Sequence, residues 1–557
     1  IESVLIDGDT QTGAKANALA DGNDAVLRIR LDGSNATFGV DGLKFTQPGN
    51  TVRGLVIVNW KDDGIELGSS NNTVEGCFLG LDMDGTERGN FRMGVHIRAA
   101  AGATSGNLIG GTTPAARNVI SGNDDRGVQI DQSTTSGNRV VGNFIGTNPA
   151  GTAAVANTIS GVDVSSSPDN IIGGTTATER NVISGNANSG VDIRDSAATR
   201  NQVLGNFIGT DATGQTALAN GRDGVAISNA PANVVGGTAP GAANLIAFNG
   251  GDGVSVAGFS TRNDNAIRAN TIFSNGSLGI ELAFDGVLEN DTDDPDDTAN
   301  RGQNFPVITA ATVSPTGVSI PGTLNSVANK TYTLDFFANV ACDPSGNGEG
   351  QQYLGSTDVT TDANGDGSFN VAFPTVPIGR FITGTTTDPD GNTSEFSDCL
   401  DAASTFAPVV FKVKNTNNDG PDSLRRAILD NNVALSTGNR IEFDIPGDGP
   451  HVIALTSALP ALANRVTIDG YTQRDASVNT LADGFNAVLK VRLDGSGFGG
   501  DGLTVTAANC VVRGLVVARF SGAIVVRGSG CVVAGNVLGL DFAGAVQLNF
   551  VAGVWVR

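Results

Sequence analysis

The chain has 557 residues, enough for several domains, and 76 of them are glycine, which marks a turn-rich, all-β architecture. Acidic residues outnumber basic ones 57 to 34, for a net charge of -23. That balance disfavours nucleic acid, whose phosphates need clustered Lys and Arg, and equally an anionic membrane surface. It leaves two readings open, solubility through mutual repulsion or the binding of divalent cations.

Hydrophobic residues make up 39% of the chain but aromatic ones only 5%, so the core must be aliphatic, as stacked identical layers require. Five cysteines occur without a CxxC, and in the sequence neither His96 nor His451 stands near a second zinc ligand. No apolar stretch is long enough to span a bilayer. The first residues, Ile1-Glu2-Ser3-Val4-Leu5-Ile6, read as a strand without the basic n-region of a signal peptide, so the chain is expected to begin inside a longer protein.

Residues 50–282 carry a short repeat. Its stations are Asn50, Asn72, Asn107, Asn138, Asn170, Asn201, Asn233 and Asn265, falling 31 or 32 residues apart from Asn107 onward. Asn107, Asn170 and Asn233 each open an N-x-[IV]-G-G-T pattern, and Asn118, Asn181 and Asn244 follow with apolar pairs. A third strand lies between stations, as in Gly64-Ile65-Glu66-Leu67, Gly94-Val95-His96-Ile97 and Gly161-Val162-Asp163-Val164. Three short strands per coil, apolar inward and polar outward, describe a triangular parallel β-helix. Asn and Gly tolerate the left-handed backbone of sharp corners, and stacked Asn side chains can bond from coil to coil. About ten coils rising roughly 4.8 Å each would span 1–282, a rod on the order of 45–50 Å.

Beyond Leu282 an acidic loop holds Asp291, Asp293, Asp294, Asp296 and Asp297, five carboxylates within seven residues and a hard-oxygen set of the kind Ca²⁺ takes. Residues 306–402 then read as short strands with turn signals, an Ig-like β-sandwich. Cys342 and Cys399 are its only cysteines, so a disulfide between them is expected in an oxidising compartment. Asp362-Ala363-Asn364-Gly365-Asp366-Gly367 copies the first half of an EF-hand loop but lacks its final Glu, which favours a hairpin turn.

Residues 411–432 read FKVKNTNNDGPDSLRRAILDNN. Ser423 or Asp422 can cap a short helix through Asp430 with Leu424, Ile428 and Leu429 on one face, laid over the open end of a coil stack. A second set of coils follows. Asp7-Gly8-Asp9-Thr10-Gln11 recurs as Asp469-Gly470-Tyr471-Thr472-Gln473, and Val52-Arg53-Gly54-Leu55-Val56 as Val512-Arg513-Gly514-Leu515-Val516. The offset drifts from 462 to 459, so one long period of roughly 460 residues is followed by the start of another. Cys510 and Cys531 fall at the stations of Asn50 and Asn72, as a disulfide or as an inert interior stack.

The 411–432 segment, Asp444-Ile445-Pro446-Gly447 and the N-x-I-G-G-T coils resemble bacterial right-handed parallel β-helix repeat proteins of the CSLREA type, with Asp422 where that signature has Cys. The sandwich is similar to the module that follows such helices, through Cys342-Asp343-Pro344-Ser345-Gly346 and Thr387-Asp388-Pro389-Asp390-Gly391-Asn392. The resemblance implies a large extracellular or cell-surface protein and assigns no activity.

Parallel β-helices also include pectate lyases, polygalacturonases and phage tailspikes. Asp62-Asp63 after Trp60 is the best acid pair for such chemistry, with Glu66 and Asp82 on neighbouring coils. Its counterpart in the second copy aligns as Gly522-Ala523, and neither a Gly-His-Gly nor an Arg-x-Lys accompanies it. The sequence therefore predicts an all-β chain: right-handed parallel β-helix (1–304), Ig-like sandwich (305–402) and capped start of a second helix (403–557). Its expected role is a non-catalytic structural unit of a fibre, stalk or adhesin, with no catalytic residues and no membrane insertion in this segment. Partners would be neighbouring copies of itself or surface glycans, Ca²⁺ would be the cofactor, and the alternative is a helix that binds or cleaves polysaccharide.

Overall fold

A computed structural model describes the chain except residues 1–2, 101, 259–263, 284–285, 296–297, 315–316, 375–380, 405–406, 435, 437 and 557. It divides into two compact units, residues 1–309 with 320–371 and 381–400, and residues 310–319 with 372–380 and 401–557. The first helix and most of the segment after it thus share one unit.

In the first unit, three parallel sheets run side by side, each with nine strands among the described residues. The first sheet runs from Leu5–Asp7 to Ala266–Arg268, the second from Ile29–Asp32 to Thr271–Phe273 and the third from Leu43–Phe45 to Ile280–Leu282. Each coil gives one strand to each sheet, which is a parallel β-helix of nine coils where the sequence suggested about ten. The alternation is the cause. In the third sheet Ile65, Leu67, Val95, Ile97, Val128 and Ile130 point inward and are wholly buried, each contributing about 1.5–3 kcal/mol.

Asparagine holds the corners. The backbone N and Nδ2 of Asn107 both donate to Asn138 Oδ1 at 3.0 Å, and Asn138 donates in the same way to Asn170. Two further ladders run through Asn118, Asn143 and Asn181 and through Asn90, Asn123 and Asn157. Each rung satisfies a buried N–H that the corner takes out of the sheets.

An antiparallel sheet closes the end of this helix. Thr331–Asn339 pairs with Gln352–Thr360 on one side and Phe381–Thr387 on the other. Arg268 forks onto the buried Asp335 at 2.8 and 2.9 Å, and Glu395 accepts from the backbone N of Leu282 and Leu288. Phe337 and Phe396 join the helix core. A disulfide links Cys342 and Cys399, whose Cα atoms are 5.9 Å apart.

In the second unit the coils begin again under a helix, Leu424–Asn432. Ser423 Oγ caps it by accepting from Arg426 N at 3.2 Å. Leu424, Ala427 and Ile428 are buried, whereas Leu429 is 41% exposed. The inward face is therefore set by the i, i+3, i+4 spacing from Leu424, and Leu429 lies off that stripe. Three parallel sheets are built here, one of them from the strands Leu503–Val505, Gly522–Val526 and Ala552–Val556. Cys510 and Cys531 are free thiols, with burial pushing Cys510 up to about 11.

Candidate functional site on the third sheet

Because side chains alternate, the third sheet of the first helix displays one outward residue per coil at a fixed register. The row reads Lys44, Glu66, His96, Gln129, Asp163, Asp192, Ala226, Ser255 and Glu281. Its first part is a dense electrostatic cluster. Carboxylate oxygens of Asp41, Asp63 and Glu66 all lie within 4.8 Å of one another. Lys44 Nζ sits 2.8 Å from Glu66 and 3.4 Å from Asp41. His96 is buried between two acids, with Nδ1 2.8 Å from Asp63 and Nε2 3.3 Å from Asp131.

Burial alone would lower the His96 pKa, but the carboxylates of Asp131 and Asp63 outweigh it and push it up to about 9. The raised pKa favours the imidazolium at neutral pH, with Nδ1 hydrogen-bonded to Asp63 and Nε2 in charge contact with Asp131 but without a hydrogen bond. Asp41 is raised by burial and by the neighbouring Glu66 and Asp63 charges.

Further along, the wholly buried Asp163 accepts from Arg126 Nε at 3.0 Å, Arg194 Nε at 2.9 Å and Gln129 Nε2 at 3.2 Å. Asp192, one coil on, is pushed up to about 6 by burial and by the Asp163 charge. Asp223 accepts from Ser255 Oγ at 2.9 Å.

An open cleft of about 600 Å³ lies at the corner that follows these strands, lined by Thr46, Pro48, Gly68, Ser70, Asn71 and Ala100 among others. A Cβ at Gly68 would stand 2.8 Å from the Ala100 Cβ and 3.8 Å from Glu66 Oε1. Glycine there opens the corner beside the carboxylate.

The acids singled out in the sequence are only partly brought together. Asp63 and Glu66 meet, while Asp62 turns to Arg92 at 3.3 Å. Asp82 is elsewhere, held by Arg30 at 2.6 Å and Arg88 at 2.9 Å. The copy alignment shifts by one residue. Arg92 N donates to Asp62 O as Val551 N donates to Ser521 O, and Gly42 N donates to Asp63 O as Gly502 N donates to Gly522 O. The counterparts of Asp62 and Asp63 are thus Ser521 and Gly522, because the second copy lacks a residue at Lys61. No carboxylate replaces either. His96, which lacked a neighbour in the sequence, has two in the fold.

Of the proposed calcium ligands, Asp296 and Asp297 lie outside the described residues. Asp294 accepts from Gln303 Nε2 at 2.7 Å and Ser326 Oγ, and Asp293 N donates to Asn325 Oδ1 at 2.8 Å. Asp291, Asp293 and Asp294 are not among the acids whose oxygens converge, a statement that holds for the described residues. Asp362 Oδ1 accepts from the backbone N of Asn364 at 2.7 Å and Asp366 at 3.1 Å, the turn expected of that segment.

Sequence reasoning missed Asp41, Lys44, Asp131 and Arg194. For Lys44 the signal was present, since the second residue after each Gly of the third strands spells the outward row; Asp41, Asp131 and Arg194 lie off that position. No protein-family model matches the chain. No curated protein matches it either. Among solved structures it is similar to the A-module of Azotobacter vinelandii mannuronan C-5 epimerase AlgE4, at 16% identity and a TM-score of 0.23. That match covers 43% of this chain and 55% of that one, so the chain spans little more than half of that structure's length. The backbone overlap is slight, and the assignment of the parallel β-helix rests on the three parallel sheets themselves.

Proposed function

We propose that the outward face of the third sheet in the first helix binds a linear polysaccharide. One observation carries the reading: the fold does not need the charges placed there. The second helix builds the same sheet with Thr504, Val525 and Trp555 at the register of Lys44, Glu66 and His96. Burying Glu66, Asp63 and His96 costs desolvation that an apolar row avoids, so their presence calls for a partner. The outward row itself is packed shut, with Glu66, His96, Gln129, Asp163 and Glu281 all buried, so a polymer would be met at its accessible rim, at Lys44, Asp131 and Arg194 and at the cleft beside Gly68. Carboxylates accept from sugar hydroxyls, and Lys44 and Arg194 donate to them.

The reading is of recognition without turnover. Asp63, Glu66 and Asp163 are engaged by His96, Lys44, Arg126 and Arg194. Retention of the full chain in gels cast with dissolved polysaccharides tests it. The double variant Glu66→Gln/Asp131→Asn should lose about tenfold in affinity, the scale of one or two hydrogen bonds to charged groups. Unchanged retention of that variant would remove this face from the reading.

A second reading, a structural unit of a secreted or surface array, is favoured by the recurrence of the coil after roughly 460 residues under its own helix cap. The two are compatible, an array being a way to present a binding face repeatedly. The resemblance to CSLREA-type repeat proteins with Ig-like modules belongs to this reading, as does an oxidising exterior for the disulfide.

A further inference from the structure

Beside the charged face, at the corner between the second and third sheets, two phenylalanines are exposed, Phe38 by 76% and Phe91 by 49%. Their rings meet edge to face at 5.3 Å. Such placement is unusual in a chain with only 5% aromatic residues, and the core does not explain it. Nor does the coil. Phe91 follows the ladder residue Asn90, and the next residues after the same ladder positions are Asp124, Thr158, Ala187, Gly221 and Gly250.

Yet the second helix keeps both rings. Phe-Gly-x-Asp-Gly-Leu recurs from Phe38 at Phe498, and Asn-Phe-x-x-Gly-Val from Asn90 at Asn549. Phe550 N donates to Phe520 O at 2.8 Å as Phe91 N donates to Trp60 O at 2.9 Å, so the registers agree. Phe498 is 37% exposed. The neighbouring Lys44, Glu66, Asp63 and His96 have meanwhile been replaced. What recurs is a phenylalanine at each of the two positions, although the 5.3 Å ring contact is shown for Phe38 and Phe91 alone.

We propose that Phe38 and Phe91, and independently Phe498 and Phe550, are stacking platforms for the rings of a neutral polysaccharide. This rests on the polysaccharide reading above and narrows it. A flat, apolar aromatic surface takes the C–H face of a sugar ring, while the carboxylate of Asp41 or Asp501 beside it accepts from the hydroxyls at the ring's edge. The charges select against a polyanion. The whole chain carries -23, so a polyanion is repelled at long range.

Affinity electrophoresis of the full chain in gels containing a neutral glucan, a neutral mannan, polygalacturonate or alginate provides the test. Retardation is expected in a neutral polymer. Phe38→Ala/Phe91→Ala and Phe498→Ala/Phe550→Ala should each weaken it, and the fourfold variant should weaken it about tenfold or more. Tyr at all four positions should restore it. Phe38, Phe91 and Phe498 are exposed, and an unchanged urea midpoint confirms that the variants fold. If the alanine variants are retarded normally while Glu66→Gln/Asp131→Asn is not, the platform is overturned and the charged face survives. Retardation by polyanions alone overturns the platform, and so does loss of self-association, with no change in glycan retardation, in the fourfold variant. Retardation by none of the polymers overturns both readings.

Discussion

At three successive coils the third sheet of the first helix presents Lys44, Glu66 and His96 outward, where the second helix presents Thr504, Val525 and Trp555. The inward partners hardly change: Leu43, Ile65 and Val95 in one, Leu503, Ile524 and Val554 in the other. The interior row specifies the coil, and the exterior row is left open to other demands. The first helix spends that latitude on buried charge and the second on apolar cover.

The largest effect should come from crossing the two solutions. Val525 is wholly buried, so Val525→Glu places a carboxylate where no Lys44 or His96 equivalent receives it. The expected cost is about 4 kcal/mol, read as a drop in the urea midpoint of the second unit. The reverse change, Glu66→Val, should cost about 1 kcal/mol or less, because Lys44 is half exposed and regains water. Equal costs in both directions would break the comparison.

Within the first helix, Asp163→Ala strands Arg126 and Arg194, each of which spends a guanidinium on that carboxylate. Both arginines reach solvent in part, so the loss should be about 3 kcal/mol, at the low end for a broken buried pair. Asp163→Asn keeps two acceptor directions and should recover part of it.

Much of this was legible in the sequence. Coil spacing, the Asn stations, the cap helix and the long repeat all follow from periods that a one-dimensional string displays. The pairing of His96 with Asp63 and Asp131 was not, because partners 33 and 35 residues away are joined only once the register of adjacent coils is fixed. The same blindness put Leu429 inside the cap helix, where only the 3.6-residue turn decides the face. It also set Gly522-Ala523 opposite Asp62-Asp63, since a single missing loop residue is invisible until hydrogen bonds locate it.

The ladders offer a smaller contrast. Asn107 N and Nδ2 both depend on Asn138 Oδ1, and all three groups are buried. Asn138→Ala should therefore cost about 2 kcal/mol, the penalty of leaving a buried N–H unpaired. The second helix already carries Cys510 and Cys531 at two such stations, so Asn138→Cys measures in the first helix what that replacement costs. Stability near that of Asn138→Ala shows that the thiol does not substitute for the amide.

The smallest effect separates the two faces by pH. His96 titrates near 9 in the folded helix against 6.5 in an unfolded chain, and the groups that face it are Asp63, Asp131, Glu66 and Gln129. A raised folded pKa means that the folded state binds the proton more tightly. The stabilisation is complete below pH 6.5, where both states are protonated, and is lost as pH rises through about 9. Urea melts of the first unit should weaken by roughly 1–2 kcal/mol between pH 7 and 9.5, after allowance for the other groups that titrate there. His96→Gln should flatten that slope, since a neutral amide still donates to one acid but carries no proton to lose. Trp555 holds the matching position in the second unit and titrates nothing, so its melts over the same range supply the internal reference. A slope of the same size in His96→Gln would assign the pH dependence to another group and leave the imidazolium without a measurable role in holding Asp63 and Asp131.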